Sequence, residues 1–205
     1  MATYTSPQDG TTLDTRISQN AATTNFSTGT EVYIGESDVA AALSRGLYQF
    51  PGLSNGTIPP SSIVTSASIF IKVKEDRSSN ARTLSAYRSK RDVVISQATW
   101  NIWKTGSNWA TAGGFHADDC EQTSIGDVSV GASVAPGTWI EIPLNANAIL
   151  AIVNGTWTTP TFLLKVDTEN ADQYLYYASD TVTSTDRPYI VVNYIPAGGV
   201  PIFFD

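Results

Sequence analysis

Two side chains that carry much of protein chemistry are almost missing. The 205-residue chain has one cysteine, Cys120, and one histidine, His116. A single cysteine excludes a disulfide within the chain. Together the two leave too few ligands for a Cys/His zinc site, which needs about four. Charge is scarce too: charged residues are 15% of the chain, against about 25% in ordinary domains. The charge present leans acidic, with 12 Lys and Arg against 19 Asp and Glu and a net charge of -7. Without a basic face the chain is poorly suited to neutralise phosphates, so no nucleic-acid partner is expected. No apolar run approaches the ~18 residues of a transmembrane helix, and no membrane partner is expected. The opening Met1-Ala2-Thr3-Tyr4-Thr5-Ser6-Pro7 has neither a basic n-region nor an apolar h-region. It reads as a protein used without Sec export, or one from which a signal has been removed. Heptads and internal repeats are lacking.

What is present points to β structure. Ser and Thr make up roughly a fifth of the chain, above ordinary usage. Short apolar runs recur between clusters of Gly, Pro, Asn, Asp, Ser and Thr, the pattern of an all-β sandwich or barrel. Strands are expected over residues 12–17, 31–35, 44–50, 64–74, 82–88, 138–142, 161–167, 173–179 and 189–195. In 64–74 the residues Ile69, Ile71 and Val73 alternate with Phe70, Lys72 and Lys74, the period of a half-buried strand. One helix is expected over 145–155, with Asn145 as N-cap, Gly155 just past the end, and Ile149, Ile152 and Val153 on one face. Residues 100–135 are Trp-rich and then Gly-, Ser- and Asp-rich with little periodicity. They predict a long ordered loop held down by its indoles. The chain divides into an N-terminal extension (1–10), one β-sandwich domain (11–195) and a C-terminal arm (196–205).

Candidate chemistry is thin. His116 and Cys120 could form a nucleophilic pair only if brought together with an orienting group, which four-residue spacing in a Gly-rich loop does not provide. Acidic residues gather at Asp118, Asp119 and Glu121, and again at Asp167, Glu169, Asp172, Asp180 and Asp186. Oxygen-rich loops can hold Ca²⁺, but no diagnostic spacing is present. No catalytic residue, cofactor or metal is expected. Asn25, Asn55 and Asn154 each open a glycosylation sequon and read more simply as turn and cap residues. Trp103, Trp109 and Tyr176 are candidate platforms for stacking a sugar ring. Val200, Ile202, Phe203 and Phe204 follow a Gly-Gly hinge. Exposed apolar residues of this kind are a liability unless a partner covers them, so they are candidate partner-docking residues.

Several stretches together resemble one family. Leu13-Asp14-Thr15-Arg16-Ile17, Thr24-Asn25-Phe26-Ser27 and Val32-Tyr33-Ile34-Gly35 are similar to the opening of DNRLRE-type domains, which are grouped with a class of alginate-binding carbohydrate-binding modules. Arg45-Gly46-Leu47-Tyr48-Gln49-Phe50, Ile58-Pro59, Ile63-Val64-Thr65-Ser66-Ala67 and Ala98-Thr99-Trp100-Asn101 continue the resemblance. Phe162-Leu163-Leu164-Lys165, Ala178-Ser179-Asp180 and Arg187-Pro188-Tyr189-Ile190-Val191-Val192-Asn193-Tyr194 close it. It spans about residues 11 to 195, and the literal Asp-Asn-Arg-Leu-Arg-Glu string is absent. The resemblance implies an all-β fold, a jelly-roll-like antiparallel β-sandwich, and no catalytic set.

Such domains occur as appended modules of secreted sugar-directed proteins and as small virion proteins of tailed phages. An acidic, Thr/Ser-rich domain with an apolar arm fits the second setting. The leading expectation is a non-enzymatic phage capsid decoration (cement) protein, bound on the capsid surface to the major capsid protein or another virion subunit. By analogy with other cement proteins it would be a trimer. The alternative is an extracellular carbohydrate-binding module with a polysaccharide as partner.

Overall fold

The computed structural model describes residues 1–6, 12–37, 42–169, 172–178, 180–181 and 183–197. The candidate docking residues Val200, Ile202, Phe203 and Phe204 lie outside them. The strands are β1 (Ala2–Thr5), β2 (Leu13–Ser18), β3 (Glu31–Ser37), β4 (Ala42–Gln49), β5 (Ile63–Asp76), β6 (Arg82–Arg88), β7 (Ile102–Lys104), β8 (Ser107–Asn108), β9 (Gly126–Val130), β10 (Trp139–Leu144), β11 (Thr161–Val166), β12 (Gln173–Tyr177) and β13 (Tyr189–Ile195). The one α-helix is α1 (Ala146–Val153).

Alternation along β5 sets the frame. Ile69, Ile71 and Val73 are fully buried, while Phe70, Lys72 and Lys74 on the opposite face are part-exposed, as period-2 geometry requires. The large sheet is antiparallel throughout and runs β1-β13-β5-β10-β9-β6-β11-β4-β3-β12, with β2 added on β4. It curls on itself, because β12 also pairs with β5 through Tyr174↔Asp76 and Tyr176↔Val73. The curl leaves few open edges, where unpaired N–H and C=O groups would template aggregation. β7 and β8 form a separate small hairpin.

Two apolar clusters hold the chain. The larger fills the inside of the curl with β5, β6, β10, β11, β12 and β13 side chains, and with Ile149, Ile152 and Val153 of α1. The helix forms as its sequence dictates. The Asn145 carboxamide accepts the N–H of Asn147 (2.9 Å) and of Ala148 (3.4 Å), which satisfies first-turn donors. Gly155 takes a positive φ of 72° just past the end, where a side chain would be strained.

The smaller cluster lies on the other side of β2, β4 and β11. It joins Ile17, Leu47 and Leu163 to Val93, Ile95, Ala98, Trp100 and Trp109. This explains why all six β11 residues are buried: one face meets the inner core, and the long segment after β6 covers the other.

Two expectations change. Residues 2–5 belong to the sheet as β1, in register with β13 from Ala2↔Tyr194 to Thr5↔Val191. Four residues without an apolar alternation carry no readable strand signal. Within the expected loop 100–135, β9 pairs with β6 from Ala86↔Gly126 to Arg82↔Val130. The indoles do anchor the rest of that segment, with Trp100 and Trp109 buried in the smaller cluster.

Candidate functional site

The segment between β6 and β9 is held by buried charge. Asp119 is fully buried. Its carboxylate accepts the backbone N–H of Ala110 (3.1 Å) and Thr111 (3.2 Å) and the Arg91 Nε–H (2.9 Å). Gly113 and Gly114 follow with φ of 88° and 70°. A Cβ on Gly113 would sit 2.7 Å from the Trp100 ring, and one on Gly114 3.2 Å from the Trp109 ring, so the indoles need bare backbone here. The Trp109 Nε1–H donates to the Thr99 carbonyl (2.9 Å).

Beneath the segment, Arg45 of β4 grips Glu169 with both Nε and Nη2 at 2.8 Å and donates from Nη1 to the Gly113 carbonyl at 2.7 Å. Lys165 of β11 lies 3.7 Å from the same carboxylate and 5.0 Å from the centre of the Phe115 ring. Burial pulls the Lys165 ammonium below the usual lysine pKa, although Glu169 works the other way. Asp172, also fully buried, accepts from Ser79 N (2.6 Å), Asn80 N (3.2 Å) and Asn80 Nδ2 (3.2 Å) and pairs with Arg82. Burial pushes its pKa up, but these donors outweigh it and hold the carboxyl below the ordinary value.

Asp119, Glu121, Glu169, Asp172 and Asp186 thus serve the fold. Glu121 pairs with Arg88 and Lys90, and Asp186 with Lys72. Among the described residues, no group of three or more His, Cys, Asp or Glu is placed to hold a metal ion. His116 is directed at its own loop: its Nδ1 accepts the Asp118 N–H at 3.2 Å. The Cys120 thiol is buried and pushed up to about 11, chiefly by that burial. It is therefore protonated at neutral pH and a poor nucleophile. In the native protein Cys120 is expected to resist iodoacetamide at pH 8 and to react fully in denaturant, read by mass spectrometry. Rapid native labelling would refute its enclosure.

The three stacking candidates do not form a platform. Tyr176 is fully buried beside Tyr174, the ring centres 6.4 Å apart. It faces inward from β12, and burial raises its phenol pKa well above the usual value. Trp109 is 5% exposed and committed to Thr99. Trp103 alone is part-exposed, with the Lys104 ammonium 4.4 Å from its ring centre. Alternation alone could not tell which face of β12 turns inward.

A part-exposed aromatic group that the sequence reading missed lies elsewhere. On the outer face of β10, β5 and β13, Phe70 and Tyr189 are opposite one another in register. Their rings stack at 4.8 Å and 7°, and Trp139 meets Tyr189 edge-on at 5.2 Å. Beside them runs a groove of about 420 Å³ lined by Ser66, Ser68, Phe70, Glu141, Pro143 and Asn193. Ser68 donates to Glu141 (2.7 Å) and Asn193 to Ser66 (2.9 Å). The alternation of β5 was the available signal, since it places Phe70 opposite the buried face.

The sequon asparagines are occupied by turns. Asn25 donates to the carbonyls of Ile95 (2.8 Å) and Ala98 (2.7 Å) and accepts from Ser27. Asn55 accepts from Thr57, and Asn154 from Ser61 N. No protein-family model matches the chain, and no curated protein matches it.

Proposed function

We propose that this chain is a non-enzymatic virion structural subunit, a decoration (cement) protein on the capsid of a tailed phage. In this reading the curled sheet is a jelly-roll-like sandwich of the DNRLRE type, and the partner is the major capsid protein or a neighbouring virion subunit. The observation that carries the proposal is where the sheet releases the chain. β13 ends with Ile195 paired to Ile63, and Ile63 is 58% exposed. The apolar residues Val200, Ile202, Phe203 and Phe204 follow within ten positions. An exposed isoleucine beside the strand end that leads into these apolar residues suits docking into a neighbouring subunit, where burial contributes about 25 cal/mol per Å². A stable attachment of this kind buries roughly 1,000 Å² or more. The buried, ion-paired placement of Asp119, Asp172, Arg45 and Lys165 also favours a molecule that binds and builds.

Deletion of residues 200–205 is expected to reduce retention on washed particles at least about tenfold while leaving the thermal midpoint unchanged, since one lost apolar anchor of about 1.4 kcal/mol is already a factor of ten. Unchanged occupancy would overturn the arm mechanism.

A carbohydrate-binding role is the second reading, favoured by the Phe70, Trp139 and Tyr189 group beside its hydroxyl-lined groove. Aromatic faces flanked by polar groups suit sugar rings. On a glycan array, binding lost in Trp139→Ala would support this role, and an absence of binding to any polysaccharide would reject it.

A further inference from the structure

The chain carries an excess of carboxylates, yet one of its guanidinium groups makes no ion pair with any of them among the described residues. Most of its 12 Lys and Arg residues stand in ion pairs, such as Arg45–Glu169, Lys74–Glu31, Arg82–Asp172 and Arg91–Asp119. Among the described residues, Arg16, Lys104 and Arg187 stand outside them. Lys104 lies over Trp103, and the Arg187 Nε–H donates to the Thr181 carbonyl. Arg16 of β2 is different. Its guanidinium carbon lies 4.0 Å from the centre of the Phe26 ring and 3.8 Å from that of Tyr33. No hydrogen bond from its side chain to a described residue accompanies these contacts.

Each ring is held independently. The Phe26 carbonyl accepts the Gly29 N–H at 2.9 Å, and Asn25 next to it is tied to Ile95 and Ala98. Tyr33 is carried by β3, and its hydroxyl donates to Glu31 Oε2 at 2.9 Å. Packing against rings holds the guanidinium by its faces and leaves the five N–H donors around its edge. The nearby carboxylates are already engaged: Glu31 by Tyr33 and Lys74, Glu75 by Arg77 at 2.8 Å.

Two hollows meet at this clamp, each sharing Arg16, Phe26 and Tyr33. One, of about 190 Å³, adds Ser18, Asn20, Ser44 and Arg77. The other, of about 200 Å³, adds Gly29, Thr30 and Glu31. The Glu31 carboxylate repels anions from the second. The first offers two serine hydroxyls, 3.2 Å apart, and an amide, while its second guanidinium, Arg77, is held by Glu75.

We propose that this first hollow is an oxyanion-binding subsite, in which the edge of Arg16 presents parallel N–H donors to two oxygens of a carboxylate or phosphate group. A rigid fork meeting two oxygens is the strongest pairing a side chain offers such groups. In a chain of net charge -7 the general field disfavours anions, so binding would have to be local and would weaken with salt. The proposal does not depend on the capsid reading.

The test is a titration of the full ¹⁵N-labelled chain, following the Arg16 Nε–Hε resonance and the backbone amides of Ser18, Asn20 and Ser44. The probes are sodium phosphate and sodium acetate, with sodium chloride at matched ionic strength as control. A saturable shift with phosphate or acetate, but not chloride, is expected. Saturation by acetate alone assigns a carboxylate ligand, and saturation by phosphate alone assigns a phosphate. Arg16→Lys keeps the charge but loses the fork, and should weaken binding about tenfold. Arg16→Gln should abolish it. If Arg16→Gln does not fold, the wild-type titration and Arg16→Lys decide. A linear, non-saturating response to both probes, or equal affinity in Arg16→Lys, would overturn the proposal.

Discussion

Replacing Gly126 with alanine is expected to lower stability by about 3 kcal/mol and the thermal midpoint by roughly 10 °C. A Cβ at this position would lie 2.4 Å from the Pro143 carbonyl oxygen and 2.7 Å from Leu144 Cδ2. The carbonyl belongs to the backbone of β10 and cannot swing aside as a side chain would. Gly126 faces Ala86 on one side and Leu144 on the other, so it is where the sheet passes from β10 through β9 to β6. Pushing β9 away from β10 would open the sheet at that junction. Gly131→Ala is the control, because its new methyl would meet nothing closer than 4.0 Å. Calorimetry on both variants reads the difference. A Gly126→Ala protein with the wild-type midpoint would show that β9 and β10 are not in this register.

The second large effect is expected at Asp119. Asp119→Ala removes the acceptor of two backbone N–H groups and of Arg91, from a site with no exposure to water. Hydrogen bonds to a charged group contribute about 1.5–3 kcal/mol, and orphaned donors add to the loss, so a deficit of about 3 kcal/mol is expected. It should fall unevenly. The segment that covers Ile17, Leu47 and Leu163 would loosen before the inner core, because its indoles rest on backbone that Asp119 positions. Tryptophan fluorescence should shift to the red at denaturant concentrations where far-ultraviolet circular dichroism is still native. Asp119→Asn, which keeps one acceptor oxygen, should lose less. Coincident transitions in Asp119→Ala would place this segment within a single cooperative unit.

The legible parts of the fold were those with strong local signals. β5 is long and alternates cleanly, and α1 has a capping asparagine, a terminal glycine and apolar residues at i, i+3 and i+4. β9 was hidden because Gly126-Asp127-Val128-Ser129-Val130 is short and begins with glycine. Its pairing rests on contacts distant in sequence. Asp127, which reads as a loop residue, accepts from Ser85 and Ser124 at 2.6 Å each. Tyr176 misled for a related reason: period-2 spacing tells which residues share a face, not which face is inside. The acidic clusters were not legible as to their role. Asp119, Glu121, Glu169 and Asp172 carry no diagnostic spacing in the sequence, and each pairs with an arginine distant along the chain. The Arg16 clamp had no sequence signal, since it joins β2, a turn and β3 through ring faces.

The proposal that this chain is a structural part of a virion is tested most directly by the protein composition of gradient-purified, salt-washed phage particles from the source of the gene. Quantitative mass spectrometry should find it in fixed ratio to the major capsid protein. Its absence from washed particles, with the chain recovered only in the soluble fraction, would contradict that claim.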